Sequence, residues 1–188
     1  MITPDNATAI TSHADHPRTE FRDKSAPDWP IGGSDARSHA LLLRTAVQRV
    51  SSTNGETILA QIHGSVDEEI AKVLKLRWSR GLVEARVKNR TAPYAEFGLP
   101  LGEYALGDTL AVSVRVWPNA TLAISVNGRS VNYAPPINGT DRFYFKAGDY
   151  NQCKPCGTAG QYAEVHVSAL TALHDGTDDR VQHTHDVK

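Results

Sequence analysis

A chain of 188 residues, 40% hydrophobic and 22% charged, holds enough apolar material for a substantial core, which excludes wholesale disorder. A formal net charge of -1 excludes a global pull toward nucleic acid or an anionic membrane, so recognition of a polyanion has to be local. No apolar run approaches a membrane span, and neither nucleic acid nor membrane is expected as a partner.

The start, MITPDNATAI, carries neither the basic nor the apolar region of a signal peptide. PRTEFRD follows at 17–23; if extended, it puts Arg18, Glu20 and Arg22 on one face and Thr19 and Phe21 on the other. Residues 23–38 are loop by composition. TILAQIH (57–63) alternates Ile58, Ala60 and Ile62 against Thr57, Leu59, Gln61 and His63. SVDEEIAKVL (65–74) is the only hint of helix, whereas AKVLKLRWS (71–79) and LVEARVK (82–88) read as strands about a turn at Arg80–Gly81. TLAVSVRVW (109–117) sets Leu110, Val112, Val114 and Val116 on one face. ATLAISV then meets Asn127–Gly128 before RSVNY, a strong hairpin signal. In FYFKAGDYNQ (143–152), Phe143, Phe145 and Ala147 face a core, while Tyr144, Lys146, Gly148, Tyr150 and Gln152 form a polar row. QYAEVHVSAL (161–170) turns Ala163, Val165, Val167 and Ala169 inward.

Many short strands and little helix predict an all-β, antiparallel β-sandwich of jelly-roll type. One domain is expected over 1–174, followed by a polar, disordered tail at 175–188. His183 and His185 in that tail are metal-ligand types, but a solvated tail is the better reading. Cys153 and Cys156, in CKPC, have no second pair for a zinc site, leaving a local disulfide or two free thiols. Sequons begin at Asn6, Asn89, Asn119 and Asn138, weak support for secretion.

Taken singly, the polar rows have plain explanations. Arg18, Glu20 and Arg22 make a surface ion-pair ladder, Gln61 and His63 an exposed strand face, and Lys146 a snorkelling lysine. Taken together, three strands with Arg/Glu/Arg, Gln/His and Tyr/Lys/Tyr at period two line one concave sheet. That cleft is cationic and carries proton-transfer groups, so its natural ligand is an acidic polymer.

In this order, RTEFR, QIH and YFKAGDYNQ resemble the three signature segments of the alginate lyases of polysaccharide lyase family 7: R-[ST]-E-[LV]-R, Q-[IV]-H and Y-F-K-A-G-x-Y-x-Q. Phe21 is the one departure, on the face away from the cleft. The similarity runs from about Pro4 to Leu173 and includes LPLGEYALGDTLAVSVRVWPNATLAISVNG. Members usually carry a few dozen residues before the first signature. Here MITPDNATAITSHADHP stands there instead, and the first strands of the family sandwich are expected to be missing.

The resemblance implies β-elimination on 1→4-linked uronic acids, giving 4,5-unsaturated products, with no cofactor and no metal. Arg18 and Gln61 would neutralise the uronate carboxylate as charge builds on it. His63 would abstract the C5 proton and Tyr150 protonate the leaving oxygen, with Lys146 or Arg22 lowering the tyrosine's pKa when it serves as base. Glu20 would orient Arg18 or Arg22, and Tyr144, Lys146 and Gln152 would contact neighbouring sugars. In such enzymes Ile at the position of Ile62 tends to accompany activity on guluronate, so guluronate-containing blocks are the expected substrate. The protein is expected to be secreted or periplasmic and a monomer. Hydrolysis ranks low, because Glu20 is the only carboxylate in the three rows and Asp67, Glu68 and Glu69 read as a solvated loop. The rivals are a lyase on another polyuronate such as glucuronan and a non-catalytic polyuronate-binding module.

Overall fold

The computed structural model describes residues 1–6, 16–25, 27–32, 37–52, 54–64, 72–89, 93, 95–135, 141–157 and 159–175. Every regular element among them is a β-strand, β1 to β12 in chain order. One antiparallel sheet runs β1 (Ile2–Pro4), β12 (Tyr162–Asp175), β3 (Ser38–Arg49), β8 (Leu110–Val116), β9 (Leu122–Val126), β10 (Arg129–Tyr133). The other runs β2 (Arg18–Arg22), β11 (Phe143–Asn151), β4 (Glu56–Gly64), β5 (Lys72–Ser79), β6 (Leu82–Lys88), β7 (Glu96–Glu103).

Alternation builds the interior. Leu110, Val112, Val114 and Val116 of the first sheet, and Leu74, Leu76, Val83, Ala85 and Val87 of the second, are buried in one continuous cluster. Phe143, Phe145 and Ala147 join it from β11, so the polar row of that strand must face the opposite way. At the β9–β10 hairpin, Asn127 and Gly128 take φ of 47° and 84°, the positive pair that a two-residue turn of matching twist requires.

Several sequence expectations change here. β1, β3 and β7 have no counterpart in the sequence reading; β3 buries residues on both faces, which blurs its period. Lys72 to Leu74 belong to β5 rather than to a helix, and 65–71 lie outside the described residues. In β4 the register against β5 shifts between Ile58 and Ala60. Leu59 therefore joins Ala60 in the inter-sheet cluster, while buried Ile58 lies outside it. A second shift, between Val167 and Ala169, leaves Ala169 exposed and turns Leu170 and Ala172 toward the core instead. The expected tail from 175 begins with the last residue of β12, and 176–188, with His183 and His185, lie outside the described residues, as does Asn138.

Residues 23–37 form no strand where described, yet this loop is anchored. Trp29 and Phe143 exchange backbone hydrogen bonds of 2.9 and 2.7 Å, and the Trp29 ring stacks on His39 at 4.2 Å between centroids. His39 Nδ1 lies 2.7 Å from His174 Nδ1, and His174 Nε2 lies 2.9 Å from Asp23 Oδ2. Burial alone would raise the pKa of Asp23, but hydrogen bonds from His174 and Ser25 outweigh it and hold the carboxyl below its usual range. This chain of groups links the end of β2 to β3 and β12, across the sandwich.

Candidate active site

β2, β11 and β4 are neighbours, and β11 is paired on both sides. Tyr150 lies opposite Arg18, Gly148 opposite Glu20 and Lys146 opposite both Arg22 and Gln61, with Tyr144 opposite His63. The three polar rows therefore share the face of one sheet that turns away from the core. Gly148 is needed where β2 approaches: its φ is 149°, and a Cβ there would sit 2.4 Å from the Thr19 carbonyl oxygen. The register against β4 shifts just beyond it, between Ala147 and Tyr150, and such an irregularity re-aims the side chains that follow.

At one end of the row stand His63 and Tyr144, ring centroids 5.5 Å apart. His63 Nδ1 lies 2.9 Å from the Gly64 carbonyl oxygen. That oxygen can only accept, so Nδ1 carries the proton and Nε2 keeps its lone pair. Burial, then the charge of Lys146, and further those of Lys72 and Arg18 push the imidazole's pKa down to about 4, against the Gly64 contact. His63 is thus a neutral imidazole at neutral pH. Arg22 lies over the Tyr144 ring, Cζ 3.7 Å from its centroid, and pairs with Asp28 at 3.2 Å. Burial raises the Tyr144 phenol.

The centre is organised by Glu20. Its Oε1 accepts a hydrogen bond from Gln61 Nε2, and its Oε2 lies 3.7 Å from Lys146 Nζ, an ion pair rather than a hydrogen bond. Glu20 was expected to orient Arg18 or Arg22; it contacts Gln61 and Lys146, and the charge of Arg18 is also felt. Burial raises the Glu20 carboxyl and lowers the Lys146 ammonium, each partly offset by the other's charge. Because the carboxylate claims one N–H of Gln61, the amide orientation is fixed, with its second N–H left to donate.

At the other end, Arg18 Cζ lies 5.7 Å from the Tyr150 ring centroid. His16 meets the same ring edge-on at 6.2 Å; sequence reasoning missed it, though it extends the period-two row of Arg18, Glu20 and Arg22. Gln152 donates to the Tyr150 carbonyl at 3.2 Å and stands apart from Lys146 and Gln61.

The same sheet face continues over β5–β7 as an ion-pair network, also missed, although Lys75, Arg77, Glu84 and Arg86 stand at period two in their strands. Arg77 pairs with Glu84 and, at 3.0 Å, with Glu56; Lys75 and Arg86 both pair with Glu96, Arg86 at 3.0 Å. A cavity of 470 Å³ lies beside β2, lined by Phe21, Phe145 and Ala147 on one side and Leu41, Leu170 and Ala172 on the other. Arg22 and Lys146 of the polar rows also border it.

Residues 1–174 match the family model described as alginate lyase. The fold is similar to that of alginate lyase A1-II', described as a member of polysaccharide lyase family 7: TM-score 0.77 and 24% identity, covering 93% of this chain and 78% of that one. A form of the same enzyme with one histidine changed to asparagine and one tyrosine to phenylalanine, in complex with substrate (GGMG), gives 0.78 and 22%, covering 96% and 79%. An alginate lyase from Pseudomonas aeruginosa gives 0.77 and 23%, covering 92% and 80%. No curated protein matches the chain.

Proposed function

The chain belongs to the alginate lyase family and is a polysaccharide lyase, and on that premise we propose that it cleaves 1→4-linked uronate polymers, guluronate-containing blocks first, through the groups on β2, β4 and β11. The observation that carries this reading is the order of the row: Tyr150 with Arg18 at one end, neutral His63 at the other, and Gln61, Glu20 and Lys146 between. The C5 proton of a uronate is barely acidic beside an ionised carboxylate. Arg18 and the second N–H of Gln61 face that carboxylate and stabilise the charge it gains. His63 Nε2 takes the C5 proton, the released pair forms the C4=C5 double bond, and the bond from C4 to the glycosidic oxygen breaks. Tyr150 gives its phenolic proton to the departing oxygen.

An elimination of anti geometry, the one implied for guluronate, needs base and acid on opposite sides of the sugar. Proton handlers at opposite ends of the row, with the neutralisers between, suit that geometry. A syn elimination on mannuronate, with Tyr150 in both roles, would leave His63 idle. A bound uronate also brings negative charge to an imidazole that three cations hold down, so it raises the basicity of His63 when the base is needed. Tyr144, Lys146, Arg22 and Gln152 are assigned to flanking sugars. We place the enzyme outside the cytoplasm, since its substrate is a polymer, and assign it as a monomer.

The test is ultraviolet absorbance of the new double bond on purified polyguluronate, polymannuronate and polyglucuronate. Fastest release from polyguluronate or mixed blocks is expected. Release from polyglucuronate alone would overturn the assigned substrate, and no release from any of them the assigned chemistry.

A further inference from the structure

The chain leaving β11 carries Cys153 and Cys156, which form a disulfide. Neither takes part in the elimination. His16 reaches them from the segment before β2, its Nδ1 3.4 Å from Cys156 Sγ. The imidazole nitrogen and both sulfurs lie within 4.8 Å of one another, and no other group of three such side chains is found among the described residues. Read from sequence, C-x-x-C lacked partners for a metal; the fold supplies a third ligand from 137 positions away (153 − 16).

We propose that the reduced CKPC loop and His16 form a binding site for a thiophilic divalent cation of the zinc class. The geometry is close to what such an ion needs. With Zn–S near 2.3 Å and Zn–N near 2.05 Å in a tetrahedron, a bound nitrogen and sulfur stand about 3.5 Å apart, and the Nδ1 to Sγ distance is already 3.4 Å. The two sulfurs need a separation of about 3.8 Å, which a cleaved bond permits. A thiol reductant supplies the two electrons: the disulfide and two R–SH give two cysteine thiols and R–S–S–R. The ion then displaces both thiol protons, takes the lone pair of His16 Nδ1, and keeps water in its fourth position. Cys153 is fully buried and Cys156 only partly so, so the loop has a shielded side and an open one.

The experiment uses the full chain, reduced with a thiol that is then removed without air, and titrated with cobalt(II) followed by zinc. Expected are one equivalent of cobalt per chain, a thiolate-to-cobalt band in the near ultraviolet, and displacement by zinc. His16→Ala should weaken binding at least tenfold, and Cys153→Ser with Cys156→Ser should abolish it; melting curves without metal establish that each variant is folded. Equal binding by the oxidised chain, no charge-transfer band, or unchanged affinity in His16→Ala would overturn the site. These readouts need no lyase activity, so they stand apart from the elimination chemistry.

Discussion

The sheet that carries the polar rows has two halves with similar charged residues and opposite uses for them. Across β5–β7, Lys75, Arg77 and Arg86 are matched to Glu56, Glu84 and Glu96, so donors and acceptors are consumed within the sheet. Burial would raise the Glu96 carboxyl, but Lys75 and Arg86 hold it below its usual range. Across β2, β11 and β4 the cations also lie against aromatic rings: Arg18 near Tyr150, Arg22 over Tyr144 and paired with Asp28, and Lys146 beside the buried Glu20. Charge at period two does not distinguish a structural face from a binding face. Interleaved tyrosine and histidine do, because they add groups that can give or take a proton.

If the halves differ in this way, substitutions should separate turnover from stability. The largest effect is expected from Tyr150→Phe, which removes one oxygen: kcat should fall about 10³-fold, within the usual range for a general acid, with KM and melting temperature nearly unchanged. In the other half, Arg77→Ala takes the nearest cation from Glu84, whose side chain is 9% exposed, and from Glu56, leaving them Arg86 at 3.6 Å and the Ser79 hydroxyl at 3.0 Å. A loss of about 2–3 kcal/mol is expected, below the range for a fully buried pair because Arg77 is itself partly exposed. The specific activity of the folded fraction should hold. A chemical denaturation curve alongside initial rates decides it, and the reverse pattern would merge the two halves into one site.

A pH profile sharpens the contrast further. With His63 held at about 4 in the free protein, the acid limb of kcat/KM should lie near that value rather than near 6.5. The limb of kcat should sit higher, because bound uronate opposes the three cations. His63 also leaves a mark on stability. Its folded pKa is depressed, so between about 4 and 6.5 the unfolded chain binds the proton that the folded one refuses. Stability from this group is complete above that window and falls as pH drops through it.

Behind the catalytic half, Asp149 shows the opposite sign. Burial raises its pKa to about 6, against hydrogen bonds from Thr57 and Thr3, and its Oδ2 is buried without a hydrogen-bond partner. The folded state therefore holds a proton that the unfolded state releases, and stability declines as pH rises from 3.8 through 6. Asp149→Asn should stabilise by about 1–2 kcal/mol at pH 8 and by nothing measurable at pH 4. Thermal melts at the two values test this, and equal shifts would mean that charge is not the cause. The smallest effect is expected from Ile62→Val, which removes one buried methylene, about 1 kcal/mol. The ratio of guluronate to mannuronate rates should move less than tenfold; a larger swing would give the buried face a say in specificity.

The fold class was legible because strands such as β8 alternate cleanly over their whole length. The row on β11 was legible because Phe143, Phe145 and Ala147 are buried between its first members; β2 holds no buried residue, and its row was legible from alternation alone. What alternation cannot carry across is a slip in register. Leu59, Ile58 and Ala169 went to the wrong faces because β4 slips against β5, and β12 against β3, beside them. His16 escaped for another reason: its partner Cys156 is 140 positions away and leaves no local pattern. The β5–β7 network joins residues only 7 to 21 positions apart, and it escaped because its strands were read one at a time.

The link between His39, His174 and Asp23 makes the anchorage of β2 a matter of proton counting. Asp23 can only accept, so His174 presents Nε2–H to it, and one proton must sit between the two Nδ1 atoms, which lie 2.7 Å apart. Two neutral imidazoles meet that requirement, with His39 as donor. The loop from Asp23 to Trp29, which holds Asp28 against Arg22, is thereby tied to β3 and β12 by hydrogen bonds that all run one way, from His39 to His174 to Asp23.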